Sequence, residues 1–153
     1  MAIRDRFAEM YVAGLLADCA WNIYFPNRDH GFDFIITKTV NNDFLIRPVQ
    51  VKGKYATQVK GNTNEYGYVG KLTQFHDEMV LAIPFFSLDL QTHPIHVAFM
   101  PRPTIKPHSS RGHKCAPATF RKGVPAPRRD YQKFFDTSGI CLLDSPNFKN
   151  MKV

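Results

Sequence analysis

Four residues early in the chain have the types and spacing needed to hydrolyse a phosphodiester: Glu9, Asp33, Gln50 and Lys52. That reaction needs charge neutralised on the phosphate, a nucleophile made from water and a leaving oxyanion stabilised, and a hard divalent cation serves all three needs. Mg2+ prefers oxygen ligands and keeps several waters, so one or two carboxylates plus a substrate phosphate make an adequate site. Asp33 is expected to be the main ligand, Glu9 a second carboxylate and Gln50 an amide-oxygen ligand. The Lys52 ammonium would orient the attacking water or stabilise charge developing at phosphorus. The cofactor expected is therefore Mg2+, with Mn2+ as a substitute.

These residues can meet only if particular elements carry them. Residues 33–39 are rich in β-branched side chains, Asn41-Asn42-Asp43 supplies turn chemistry, and residues 44–52 are extended again, which predicts a hairpin. Alternate strand residues share a face, so Gln50 and Lys52 point one way, with Cα atoms about 6.5–7 Å apart, and Val49 and Val51 point the other. Pro48 cannot donate to a ladder, so its position should be bulged or lie at an unpaired edge. Residues 3–20 lack proline and place Ala8, Val12, Leu15, Leu16 and Cys19 on one face, which predicts an amphipathic helix with Glu9 on the sheet-facing flank. Arg4 and Arg6 are alternative partners for that glutamate. Further strands are expected at 21–25, ended by Pro26, and at 79–86 and 95–100. Residues 53–70 carry four glycines and read as a mobile or ligand-facing loop.

A chain of 153 residues with a net charge of +7 fits one domain that meets a polyanion. Within it, residues 1–100 read as a catalytic core and 101–153 as a basic extension. Residues 101–135 hold nine Lys or Arg against the single acid Asp130, and six prolines fall between Pro101 and Pro127, so regular structure is not expected there apart from a short helix at 128–135. The phosphate-contacting candidates are Arg102, Lys106, Arg111, Lys114, Arg121 and Lys122, with Lys54 and Lys60 near the cut. Cys19, Cys115 and Cys141 have no paired spacing, and His108, His113 and Cys115 do not make a zinc motif. No apolar stretch is long enough to span a bilayer and the start lacks a signal-peptide core, so a cytoplasmic protein is expected.

The order of a helix-borne Glu9, then Gly31-Phe32-Asp33-Phe34-Ile35-Ile36, then Val49-Gln50-Val51-Lys52 resembles the PD-(D/E)XK nuclease superfamily. That superfamily includes restriction enzymes, archaeal Holliday junction resolvases and a small group I intron homing endonuclease of similar length and basic character. The resemblance covers roughly the first 55 residues. It implies an α/β, restriction-endonuclease-like fold, a mixed β-sheet flanked by α-helices, here followed by the basic Pro-rich C-terminal extension. It also implies a catalytic cluster of Glu9, Asp33, Gln50 and Lys52, with Asp33, Gln50, Glu9 and Val51 around the metal. Gln50 departs from the acid usual at its position, which removes one negative charge from the site. The implied activity is Mg2+-dependent, site-specific cleavage of double-stranded DNA. Cutting both strands needs two sites and this chain carries one, so a homodimer or homotetramer is expected. The alternatives are a Holliday junction resolvase-like nuclease and, encouraged by Gln50, a non-catalytic DNA-binding protein with a decayed nuclease core. A basic RNA-binding or ribosome-associated protein ranks last, because it leaves the cluster as coincidence.

Overall fold

A computed structural model describes residues 3–28, 31–56, 63–65, 68–90, 92–110 and 112–153; the phosphate candidates Lys60 and Arg111 lie outside the described residues. Helix α1 (Ile3–Asp18) forms where apolar periodicity places it and is followed by β1 (Asn22–Tyr24). The predicted hairpin is β2 (Phe34–Val40) and β3 (Asp43–Val51), joined through Asn41 and Asn42, both at positive φ (50° and 70°) as a tight turn requires. After the break at Lys52 and Gly53 come β4 (Lys54–Tyr55), β5 (Thr63–Glu65), β6 (Tyr68–Gly70), β7 (Val80–Phe86) and β8 (His96–Pro101). The protein is α/β, with a mixed six-stranded sheet: β1, β2 and β3 are successively antiparallel, β7 runs parallel to β3, and β8 is antiparallel to β7.

Two prolines explain how this sheet ends and breaks. Even-numbered β3 residues turn their N–H groups toward β7, as Lys52 N–H donating to the Ala82 carbonyl at 3.0 Å shows. Pro48 therefore aims its missing donor at the edge just before β7 begins, an unpaired position of the kind expected for it. Pro84 lies in the central strand. The pairs Val49 with Val80 and Lys54 with Phe85 share one register, so β4 continues β3 along the same edge of β7 while β8 occupies the other edge. In that register the residue-84 nitrogen would donate to the Lys52 carbonyl. Proline has no hydrogen to give, and the ladder is interrupted at Lys52–Gly53.

Cores cover both faces of the sheet. On one, Ala8, Val12 and Leu16 of α1 and Trp21 pack on Phe34, Ile36, Val49, Val51 and Ala82. On the other, Leu81, Ile83 and Phe85 meet Ala118, Phe120, Phe134 and Phe135. The chain after Pro101 is thus not an irregular arm. It forms β9 (Lys106–His108), β10 (Gly112–Lys114), β11 (Ala118–Arg121) and β12 (Val124–Pro127), then a 3-10 segment at Arg129–Phe134 and helix α2 (Asp136–Leu142). Proline count misleads here because Pro107, Pro125 and Pro127 sit in β9 and β12, which are edge strands of the sheets β6-β10-β9 and β12-β11-β5. The fully buried Arg47 of β3 ties this segment down, donating from Nε to the Leu143 carbonyl at 3.0 Å and from Nη2 to the Ser145 carbonyl at 2.7 Å. Its Nη1 pairs with Glu78 at 2.9 Å, and its plane lies over Phe148. Among the described residues no helix is long and apolar enough to cross a membrane.

Candidate active site

The site forms where β2 gives out beside β3. Asp33 N–H donates to the Val49 carbonyl at 2.9 Å, so the next rung would join Val51 N–H to the Gly31 carbonyl. Gly31 instead turns the chain away at φ +113°, and a side chain there would strike Gln74, whose Cβ lies 2.7 Å from the position of an added Cβ. The Asp33 carboxylate takes the vacant rung: its Oδ2 accepts the Val51 N–H at 2.7 Å. The same oxygen accepts from Gln50 Nε2 at 3.0 Å. A carboxylate only accepts, so the Gln50 amide must present nitrogen to Asp33, which turns its carbonyl oxygen the other way. The N–H and C=O of a strand residue point to the same edge, so the Val51 carbonyl also faces the gap that β2 leaves.

Gln50 and Lys52 stand half-buried on the face opposite the buried Val49 and Val51. Glu9 is 5% exposed on α1 and pairs with Arg6 Nη1 at 3.3 Å, a partner foreseen from sequence. Glu9, Asp33, Gln50, Val51 and Lys52 all line one cleft of about 380 Å³. An adjoining cleft of about 550 Å³ shares Glu9 and Asp33 and is walled by Arg6, Met10 and Phe25. The two carboxylates therefore form the ridge between two grooves.

Two further residues of the smaller cleft escaped sequence reasoning, Asp5 and Lys71. Asp5 lies one helical turn before Glu9, on the same face, and that spacing was available as a signal. Lys71 had none: it is brought in because β6 pairs with β10.

Among the described residues, no three acidic, histidine or cysteine side chains converge into a metal cage. The residues lining the cleft offer the Asp33, Glu9 and Asp5 carboxylates, with Gln50 and Val51 adding amide and backbone oxygens. This hard, under-filled set fits Mg2+, which completes its shell with water and phosphate, better than a metal that demands a full protein cage.

The basic candidates are dispersed. Lys54 is half-buried, and burial, followed by the nearby Lys52 charge, lowers its pKa below the ordinary lysine value. Arg102 lies over the Phe75 ring at 4.5 Å and donates to the Ile105 carbonyl, so it is committed to local structure. Lys106 and Lys114 are exposed and directly opposed in the β9–β10 register. Like charges so placed repel and are relieved by a polyanion. Arg121 and Lys122 are exposed on the β11–β12 hairpin. His113 accepts the Leu72 N–H, and Cys115 is buried, its thiol pushed up to about 12 by burial; among the described residues neither joins a metal cluster. No family model matches the chain, and neither does any curated protein or solved structure.

Proposed function

We propose that the protein is a Mg2+-dependent, site-specific endonuclease of double-stranded DNA with a restriction-endonuclease-like core. The observation that carries this reading is the shared hydrogen bonding of Asp33 with Gln50 and Val51, in a cleft that also holds Glu9 and Lys52. The antiparallel β1-β2-β3 run followed by parallel β7, with α1 against one face, accords with it.

Asp33, the Val51 carbonyl and Gln50 Oε1 would hold the ion from the sheet, with Glu9 reaching it from α1 directly or through water. The bound ion supplies Lewis acidity toward the scissile phosphate and the attacking water. Lys52, on the same face as Gln50, would hold that water in line or steady the charge on the phosphoryl oxygens. Lys71 and the opposed Lys106 and Lys114 would take phosphates beside the cut. A homodimer or homotetramer would supply the second site needed to cut both strands.

Incubation with supercoiled plasmid and Mg2+ tests the proposal. Wild type should nick or linearise DNA, and Asp33→Asn and Lys52→Ala should each slow this on the order of a hundredfold or more. Equal cleavage by either variant would remove the cluster from the mechanism. A second reading, a DNA-binding protein with a decayed nuclease core, is favoured by one observation: the Gln50 bond satisfies Asp33 without any cation. It predicts binding insensitive to Mg2+ and no hydrolysis by wild type.

A further inference from the structure

A third cleft, of about 530 Å³, lies on the outer face of the β11–β12 hairpin and shares no residue with the proposed catalytic cleft. Its floor is made of small side chains, Thr119 and Ala126, which are paired across the two strands. Arg121, Arg129, Tyr131 and Gln132 stand around it. The opposite face of the ribbon is buried through Ala118, Phe120 and Pro125, so the outward face is fixed by the core beneath it. Arg128 holds one wall in place, donating from Nη1 to the Ala116 carbonyl at 2.8 Å and lying over the Tyr131 ring at 5.0 Å.

The ribbon is also rigid at its tip. Lys122 and Gly123 form a two-residue turn, both at positive φ (50° and 81°). A turn of this kind favours Asn-Gly, so a lysine held in the left-handed region costs conformational energy and places a cation at the apex. Gly123 is obligatory, since an added Cβ would lie 2.7 Å from Leu88 Cβ, and its carbonyl accepts the Leu88 N–H at 2.9 Å. Leu88 follows β7, at the end of the sheet where Lys52 and Lys54 lie. It is five residues beyond Ile83, the register partner of Lys52, and two beyond the end of β7 at Phe86.

We infer that the outer face of the β11–β12 hairpin is a base-reading surface that enters the major groove of the duplex cut at the catalytic cleft, with Arg121, Arg129 and Gln132 as the reading residues. The hairpin is the exposed end of the three-stranded sheet β12-β11-β5, and strands of such sheets can enter a DNA groove; Arg matches guanine O6 and N7, and Gln matches adenine N6 and N7. The acid Asp130 on the same rim favours base edges over phosphates, because a carboxylate repels phosphate and accepts from cytosine N4. This inference rests on the nuclease reading for its catalytic reference point, but its test does not.

The experiment is selection of bound sequences from a pool of random-sequence duplexes, without divalent cation, followed by affinity measurements on the selected sequence. Wild type should enrich a motif. Arg121→Ala, Arg129→Ala and Gln132→Ala should each lose on the order of tenfold in affinity for it and relax the motif at a few adjacent positions. Arg121→Lys with Arg129→Lys keeps the charge and loses the bidentate fork, so it should retain affinity for unrelated duplex while losing the preference. Absence of any wild-type motif overturns the inference, as does an unchanged motif in the alanine variants. Selection of a motif by a wild type that never cuts with Mg2+ would overturn the nuclease reading alone. Asp33-dependent cutting with a motif indifferent to the ribbon would overturn the ribbon alone.

Discussion

Gln50 decides how the proposed catalytic cluster behaves without metal. A glutamate there would face the Asp33 carboxylate at the distance now spanned by a 3.0 Å hydrogen bond, and two such carboxylates need a proton or a cation between them. Gln50→Glu should therefore bind Mg2+ on the order of tenfold more tightly while losing about 1–2 kcal/mol of stability in chelator. Calorimetric titration and paired melts with and without Mg2+ measure the two effects, and identical Mg2+ dependence in both proteins would remove Gln50 from the site. Hairpin arithmetic brings Asp33 beside Gln50, and helix periodicity puts Glu9 on the inner flank, so these placements were legible in the sequence. The capping of Val51 by Asp33 was not, because it depends on where Gly31 turns the chain. Lys71 was also hidden, since its position depends on a pairing between segments more than 40 residues apart.

At the scale of elements, the apolar run of β7 announced a central strand, and the meaning of Pro84 within it emerges only from register. Its nitrogen faces the carbonyl of Lys52, so the sheet opens at the residue proposed to act on the attacking water. Pro84→Ala supplies the missing donor and should close the ladder. The expected result is slower amide exchange at residue 84 than at other newly exposed positions, a stability change within about 1 kcal/mol, and a several-fold slower cleavage as Lys52 is drawn into regular strand geometry. Unaltered cleavage with a closed ladder would show that the break has no part in positioning Lys52. The short strands after Pro101 were illegible for a related reason. Proline counting treats every proline as a breaker, whereas β9 and β12 carry theirs on edges where no donor is needed.

The whole molecule has two cores on one sheet, and the basic C-terminal segment supplies much of the second. Charge marked that segment correctly as exposed in part, but Phe120, Phe134 and Phe148 are fully buried, and Arg47 anchors the chain around them. Cys115 sits in this second core, and its burial gives a pH signature. Its folded pKa, about 12, exceeds the ordinary value of 9.0, so the unfolded chain gives up the proton first. The corresponding stability is complete below pH 9.0 and falls as pH rises toward about 12, by up to about 1.4 kcal/mol per pH unit. Lys54 acts in the opposite sense: with its pKa lowered by burial, stability rises with pH up to its ordinary value of 10.5. Comparing the alkaline slope of wild type with that of Cys115→Ser isolates the thiol; parallel slopes would contradict its burial in the native state.

The single hydrogen bond from Val51 N–H to Asp33 Oδ2 makes the backbone itself an indicator of occupancy at the cleft. A cation drawing electron density from that carboxylate weakens it as an acceptor, so the Val51 amide proton should move upfield as metal is added. One resonance, far from any ligand label and present in every molecule, would then count bound ions, distinguish direct coordination from diffuse screening by comparison with the Asp33 N–H, and do so in a protein prevented from cutting.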